Sequence, residues 1–246
     1  MLNVWEASEK RISCRAYEDR TIDDGTLSAL RACVEELNAA SGLHFQLFAS
    51  EKPAIKLSSA MFAGPVYTYA ALVGRDTPED AENVGYYGQG LVLCATQLGL
   101  GTCWVAGTYD RASISPELNE GEKVWDVIPM GYAAEKTPVK QKLIRSGIRA
   151  RSRRRDSFLE GDPGAPDWVW TGIEAVMKGP SAVNQQPFNI LWQGGKAYAK
   201  LIKSGHGLEY NDLGIAKKQF EVGAAHAGVK GSFLPGDMAE FVIISK

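Results

Sequence analysis

The sequence predicts an α+β protein made of two degenerate halves. Segments of helical and strand-type periodicity follow one another as far as Gly131, the apolar pattern fades between Glu135 and Arg155, and a similar pattern then restarts. At 246 residues, 45% hydrophobic and 23% charged, the chain is long and apolar enough to bury the core such a fold requires.

Leu27, Leu30, Val34 and Leu37 recur at helical spacing behind the capping candidates Asp23 and Asp24, so residues 24–39 read as an amphipathic helix. Ala63 to Gly74 reads as a strand, with Val66, Tyr67, Tyr69, Leu72 and Val73 supplying β-prone bulk. Leu91, Cys94, Ala95 and Leu98 mark a second helix that Gly99 ends, and Val124 to Met130 resembles another strand. In the second half, Val169, Ile173, Val176 and Met177 form one helical stripe, and Leu213, Ala216, Phe220 and Ala224 form another. Phe188 to Trp192 and Ala239 to Ser245 read as strands. These elements divide the chain into a first half (1–135), a basic connection (136–160) and a shorter second half (161–246).

The halves can be laid over one another. An offset of 140 residues places Ser41, His44, Gln46, Leu47 and Phe48 on Ser181, Asn184, Gln186, Pro187 and Phe188. An offset of 129 places Gly85 on Gly214, and Leu98 to Trp104 on Ala227 to Phe233. Chance similarity between amphipathic segments is the competing explanation. The decay is complementary, however: the first copy keeps the glycine turn and the second keeps Asn-Gln-Pro.

Lys and Arg total 27 against 29 Asp and Glu, so no global pull toward nucleic acid or acidic lipid is expected, and an anion site must be local. No apolar run approaches membrane-spanning length and the N-terminus lacks a signal-peptide pattern, which predicts a cytoplasmic protein. Cys14, Cys33, Cys94 and Cys103 contain no C-x-x-C pair and read as buried thiols rather than metal ligands or disulfides. His44, His206 and His226 form neither a triad nor a zinc spacing, which argues against hydrolysis.

Four segments carry candidate chemistry. Arg11, Ser13 and Arg15 alternate, so an extended backbone would project them from one face, where two guanidiniums and a hydroxyl suit a phosphate; a solvated edge strand is the alternative. Gly99-Leu-Gly101-Thr102 can be a helix cap and tight turn, but its second glycine also permits close approach to a flat ligand, whose polar edge the amides of Val105, Ala106 and Gly107 could meet. Trp104 reads as core. Pro180, Ser181, Asn184, Gln186 and Pro187 fix a polar cluster between prolines, able to donate and accept toward hydroxyls or a carbonyl-imide edge, or simply to satisfy a loop. Arg149, Arg151, Arg153, Arg154 and Arg155 form either a solvated linker or an arm reaching back to a phosphate.

Together, Arg11-x-Ser13-x-Arg15, Gly99-Leu-Gly101-Thr102-Cys-Trp104, Val127-Ile-Pro-Met-Gly131-Tyr and Pro180-Ser181-x-x-Asn184-x-Gln186-Pro187 resemble the nitroreductase family. The late position of the last motif resembles the fused two-half branch called putative nitroreductases. The resemblance implies a nitroreductase-like fold forming an intrachain pseudo-dimer around a central sheet, with one FMN per chain held between the halves. It implies that Arg11, Ser13 and Arg15 contact phosphate and ribityl, with Arg151 and Arg153 as a second basic arm. Pro180, Ser181, Asn184 and Gln186 would come from the opposite lobe, while Gly101 and Val105 to Gly107 would face the ring, placing an amide near flavin N5. The implied activity is hydride transfer from NAD(P)H through flavin to a nitroaromatic or quinone, without a catalytic side chain or metal. A flavin-binding or flavin-sensing protein without turnover is the alternative, followed by an interaction module in which both pockets have decayed.

Overall fold

Each half owns a separate sheet, and helices occupy the seam between them. The computed structural model describes residues 2–135, 138, 139, 142, 143, 146, 147, 150–202, 205 and 207–244. Arg149, His206 and Ser245, singled out in the sequence, lie outside the described residues, as does much of the basic connection.

The first sheet contains β1 (Gln46–Ala49), β2 (Thr68–Arg75), β3 (Gly101–Thr102) and β4 (Glu122–Gly131), in the order β1-β2-β4-β3 with antiparallel neighbours. The second contains β5 (Leu159–Gly161), β6 (Phe188–Gln193), β7 (Lys196–Leu201), β8 (Gly231–Phe233) and β9 (Ala239–Ile243), in the order β5-β6-β7-β9-β8. Only β5 and β6 are parallel neighbours among them. The α+β class and nitroreductase-like fold stand, but two sheets replace the single central sheet expected from the resemblance. The 160/161 boundary falls inside β5, which carries the chain from the connection onto the edge of the second sheet.

Among the described residues, helices α1 (Val4–Lys10), α2 (Asp24–Ser41), α3 (Pro78–Gln97), α4 (Asp167–Lys178) and α5 (Glu209–His226) accompany the sheets. Short-range chemistry sets their ends. Asn3 and Glu6 form a capping box on α1, Asp23 caps α2, and Thr77 caps α3 with Pro78 in its first turn. The α2 helix closes at Gly42 in the left-handed conformation, at φ 71°.

The apolar residues of β2 point to both faces. Ala70 and Leu72 join Leu30, Val34, Val84, Leu91 and Ile128 beneath α2 and α3, while Tyr69, Ala71 and Val73 join Tyr17, Phe62, Val105 and Val127 on the other side. A strand covered on both faces reads as a continuous apolar run, as this one does. The second half packs Phe158, Val169, Ile173, Ile190, Leu213 and Phe220 into its own core.

Helices α3 and α5 join the halves. A Cβ at Gly85 would lie 1.9 Å from the Asn211 carbonyl oxygen, and one at Gly214 would lie 2.0 Å from the Glu82 carbonyl oxygen. Gly85 and Gly214 are related by the 129-residue offset, and so are Glu82 and Asn211. Each copy therefore presses its glycine on the other copy's equivalent backbone, the reciprocity that defines an isologous two-fold contact. Helix α1 lies across this pair, with Trp5 and Ala7 against Leu93 and Val222 and with the Ser8 hydroxyl donating to Gln219.

Candidate cofactor cleft at the seam

Residues 11–15 run extended beside β3. Ser13 bridges Thr102 in parallel, and the Cys14 N–H donates to the Thr102 carbonyl at 2.7 Å. Alternation turns Cys14 inward and sends Arg11, Ser13 and Arg15 outward together. Gly101 makes this possible, because a Cβ there would stand 2.7 Å from the Cys14 sulfur. Its role differs from the expected contact with a ligand: it admits the strand that carries the arginines.

The opposite wall comes from the second half. After α4, the loop from Pro180 to Gln186 holds Val183, Asn184 and Gln186 at φ of 45°, 58° and 52°. Such backbone costs about 1–2 kcal/mol per residue outside glycine, so neighbouring contacts must hold it. The Gln186 N–H donates to the Ser181 hydroxyl at 3.0 Å, and the Ala182 N–H donates to the Asp212 carboxylate at 2.9 and 3.1 Å. The Arg153 backbone N–H donates to the Gln186 side chain at 2.9 Å.

A cavity of about 370 Å³ separates the two walls, with Arg11, Ser13 and Arg15 on one side and Pro180, Ser181 and Asn184 on the other. That volume falls within the range of small-molecule sites. The Arg11 guanidinium also donates to the Lys178 carbonyl at 2.6 Å, and Lys178 pairs with Glu9 at 3.1 Å, so the walls are tied across the seam. Arg15 presents a buried Nε with no hydrogen-bond partner among the described residues. An unsatisfied guanidinium donor beside a second guanidinium is chemistry for an anion.

Other expected site residues are placed elsewhere. Arg153 faces the second half, donating to the carbonyls of Gln186, Phe188 and Ser157 and to the Asn189 side chain, with its guanidinium over the Phe158 ring. Four acceptors engage the two terminal nitrogens of its guanidinium, which explains why it does not reach back to the cleft. Arg151 is exposed and outside the cavity, whereas its neighbour Ser152 lines it and accepts from Asn184 Nδ2 at 3.1 Å. Gln186 is buried behind the loop and braces it. The Val105 amide is not available to a ligand, because Val105 and Val127 exchange both backbone hydrogen bonds. Ala106 lines the next cavities, and a Cβ at Gly107 would meet open space.

Two further cavities continue from the cleft. One of about 80 Å³ shares Pro180 and Ser181 with it and is closed by Trp104, Asp126, Asn211 and Asp212. Ala106 and Leu208 then border a wider space of about 640 Å³, walled by Tyr109, Arg111, Ile114, Leu118 and Trp125. Sequence reasoning missed this polar interior. The available signal was Asp126, a lone acid within the apolar run Val124 to Met130.

The symmetry mate of the inner cavity is built differently. Lys217, only 2% exposed, donates to Glu82 and to the carbonyls of Leu234 and Gly236, while Glu82 accepts from the Gly236 N–H at 3.0 Å. The 129-residue offset relates Lys217 to Gly88, Glu82 to Asn211 and Gly236 to Gly107. A long cation and a carboxylate thus occupy one copy, where the other has a glycine packed on Trp104. His44, the counterpart of Asn184, is turned to Glu122 at 3.1 Å.

Among the described residues, no three His, Cys, Asp or Glu side chains group to hold a metal, and no helix is long and apolar enough to cross a membrane. All four cysteines are free thiols.

The family model described as "Putative TM nitroreductase" matches residues 3–224. No curated protein matches the chain. Among solved structures, a "putative nitroreductase" of Thermotoga maritima aligns over 99% of this chain and 94% of its own, with a TM-score of 0.64 at 22% identity. A nitroreductase with bound FMN from Bacteroides fragilis covers 56% of this chain and 92% of its own, at 19% identity and a TM-score of 0.42. An FMN-dependent nitroreductase of Clostridium difficile covers 53% and 88%, at 19% identity and a TM-score of 0.41. The Thermotoga protein spans both halves and shares their fold. With the family model covering nearly the whole chain, this protein belongs to the nitroreductase family of oxidoreductases.

Proposed function

We propose that the seam cleft binds one FMN per chain, and that the protein passes hydride from NAD(P)H through that flavin to a small electron-poor acceptor of the nitroaromatic or quinone type. The observation that carries this reading is the meeting of Arg11, Ser13 and Arg15 from one half with Pro180, Ser181 and Asn184 from the other around one cavity. The donor set suits the cofactor: paired guanidiniums and a buried, unsatisfied Nε for the phosphate, and hydroxyl and amide groups for the ribityl chain and ring edge. Arg11, Ser13 and Arg15 would hold the phosphate, and Ser181, Asn184 and Ser152 the polyol. When bound, FMN supplies two-electron redox chemistry that no side chain of this site could perform. The protein's part is to position donor and acceptor in turn and to limit water.

One flavin per chain is favoured because, in the other copy, Lys217 and Glu82 pair with each other and His44, the counterpart of Asn184, is turned to Glu122. The test is the absorbance spectrum and flavin content of freshly purified protein, followed by anaerobic addition of NADH or NADPH. One flavin per chain, bleached by a nicotinamide and restored by a nitroaromatic or quinone, is expected. A colourless protein that takes up no FMN would overturn the binding assignment; flavin that neither nicotinamide bleaches would leave binding without turnover.

A further inference from the structure

Within that reading of the cleft, the 80 Å³ cavity is too polar to be a packing void. Asn211 is 3% exposed and Asp126 4% exposed, yet Asn211 Nδ2 and Asp126 Oδ2 have no hydrogen-bond partner among the described residues. Both belong to the wall of this cavity. Buried polar atoms of this kind are rare in proteins and call for a bound molecule or water. The backbone register explains how Asp126 arrives there: it pairs with Leu72 and, two and four residues from Ile128 and Met130, shares with them the face of β4 toward the helices.

The protonation states decide what the cavity can recognise. Burial raises the Asp126 pKa well above the ordinary carboxylate value, and the nearby charge of Asp212 adds to this. Asp212 is pushed up to about 7, mainly by burial, with a contribution from Glu209 and opposition from the Ala182 N–H. Tyr109, whose own pKa is raised chiefly by burial, is within electrostatic reach of Asp126. A neutral carboxylic acid is a hydrogen-bond donor, and so is the Asn211 amide.

We propose that Trp104, Ala106, Asp126, Asn211 and Asp212 form a donor site for one acceptor oxygen of an aromatic ligand, a carbonyl or nitro oxygen, with Asp126 and Asn211 donating to it. The cavity admits a single functional group, and the ring that bears it must lie outside. Two ligands could present that oxygen: an electron acceptor entering from the wider space past Ala106 and Leu208, or the cofactor ring edge entering from the cleft past Pro180 and Ser181.

The experiment measures nitrobenzene binding by quenching of tryptophan fluorescence, and FMN binding by quenching of flavin fluorescence, across neutral pH. If the oxygen belongs to the acceptor, Asp126→Leu weakens nitrobenzene binding about tenfold, while Asp126→Asn, which keeps a donor, stays within about twofold. Wild-type binding also weakens as the pH rises through about 7, where the Asp212 carboxylate forms beside the oxygen, and Asp212→Asn abolishes that step. If the oxygen belongs to the cofactor, the same pattern appears in FMN affinity instead. Unchanged affinity for both ligands in Asp126→Leu, with no pH step in either, overturns the proposal. Should Asp126→Leu fail to fold, the pH profiles of wild type and Asp212→Asn decide alone. Failure of the cleft assignment is read separately: wild-type protein that binds no FMN refutes that, while nitrobenzene binding still tests the inner site.

Discussion

Replacing Arg15 by alanine isolates the electrostatic core of the cleft. The side chain lines the cavity, and its buried Nε has no hydrogen-bond partner among the described residues, so its removal should disturb little within the protein. A charge-assisted hydrogen bond is worth about 1.5–3 kcal/mol, which corresponds to a roughly 10–150-fold rise in the FMN dissociation constant if one such bond is lost. Arg15→Lys keeps the charge but loses the planar fork and should fall between the two. Arg11→Ala should also weaken binding, but it removes the bond to the Lys178 carbonyl as well and should lower the melting temperature, which Arg15→Ala should not. Arg151 lies outside the cavity, and Arg151→Ala should leave FMN affinity within about twofold. Fluorescence titration at fixed salt measures all four variants. Arg15→Ala with unchanged affinity, or Arg151→Ala with the large loss, would refute the assignment of the phosphate end.

Arg153→Ala should destabilise the second half by about 2–3 kcal/mol in urea unfolding, because several carbonyls lose a charged donor; wild-type stability would show that those bonds are replaced by water. Gly85→Ala forces a methyl group into the Asn211 carbonyl across the α3–α5 contact, and should reduce stability by about 3 kcal/mol or more, measurable by thermal or chemical unfolding. Lys217→Met leaves the Glu82 carboxylate buried without its cation and should cost about 3–5 kcal/mol, much of it recovered in the double variant Glu82→Leu, Lys217→Met. Asp212 gives a pH signature. It holds its proton up to about 7 in the fold but releases it near 3.8 when unfolded, so between those values the native state binds more protons. Its contribution to stability therefore falls with rising pH, by up to about 1.4 kcal/mol per unit, and levels off above the folded pKa. Subtracting the pH–stability curve of Asp212→Asn from that of wild type should reveal this slope, and parallel curves would contradict it.

The sequence disclosed what local periodicity and repetition can encode. The helical stripe after Asp23 became α2, and the strand read over Val124 to Met130 became β4 with one or two residues added at each end. The offset aligning Gly85 with Gly214 identified the pair of glycines at the helix crossing, because a close backbone approach demands glycine in both copies. Alternation in Arg11, Ser13 and Arg15 gave their shared face. Partner choice was less legible. An arginine in a connection can turn either way, and only tertiary placement shows that Arg153 satisfies carbonyls of the second half. Similarly, Val105 follows a glycine turn, but its amide is consumed by Val127, a residue far away in sequence. Short strands such as β3 and β5 have too few residues to show any period, so the division into two sheets was hidden.

On the proposed reading, the repeat lets one composite site outlast its mate. Once two copies share a chain, each pocket draws its walls from both, and a substitution affects the two pockets unequally. Gly88 leaves space for the Trp104 ring, whereas its counterpart Lys217 reaches into the equivalent space and binds Glu82. The buried ammonium has all three protons engaged, by Glu82, Leu234 and Gly236, and Glu82 takes the Gly236 amide as well. Those groups now satisfy one another, so that side of the dyad has exchanged ligand-facing polarity for internal pairing. On the other side, Asn211 and Asp126 keep buried polar atoms that no described residue satisfies. Desolvating such atoms without compensation costs about 1–3 kcal/mol each, and a fold that pairs off the buried polar groups of one copy through Lys217 could have done the same in the second. The contrast between the two copies of one backbone, more than either copy alone, is what supports the proposal that ligand chemistry belongs to the side of Asp126 and Asn211.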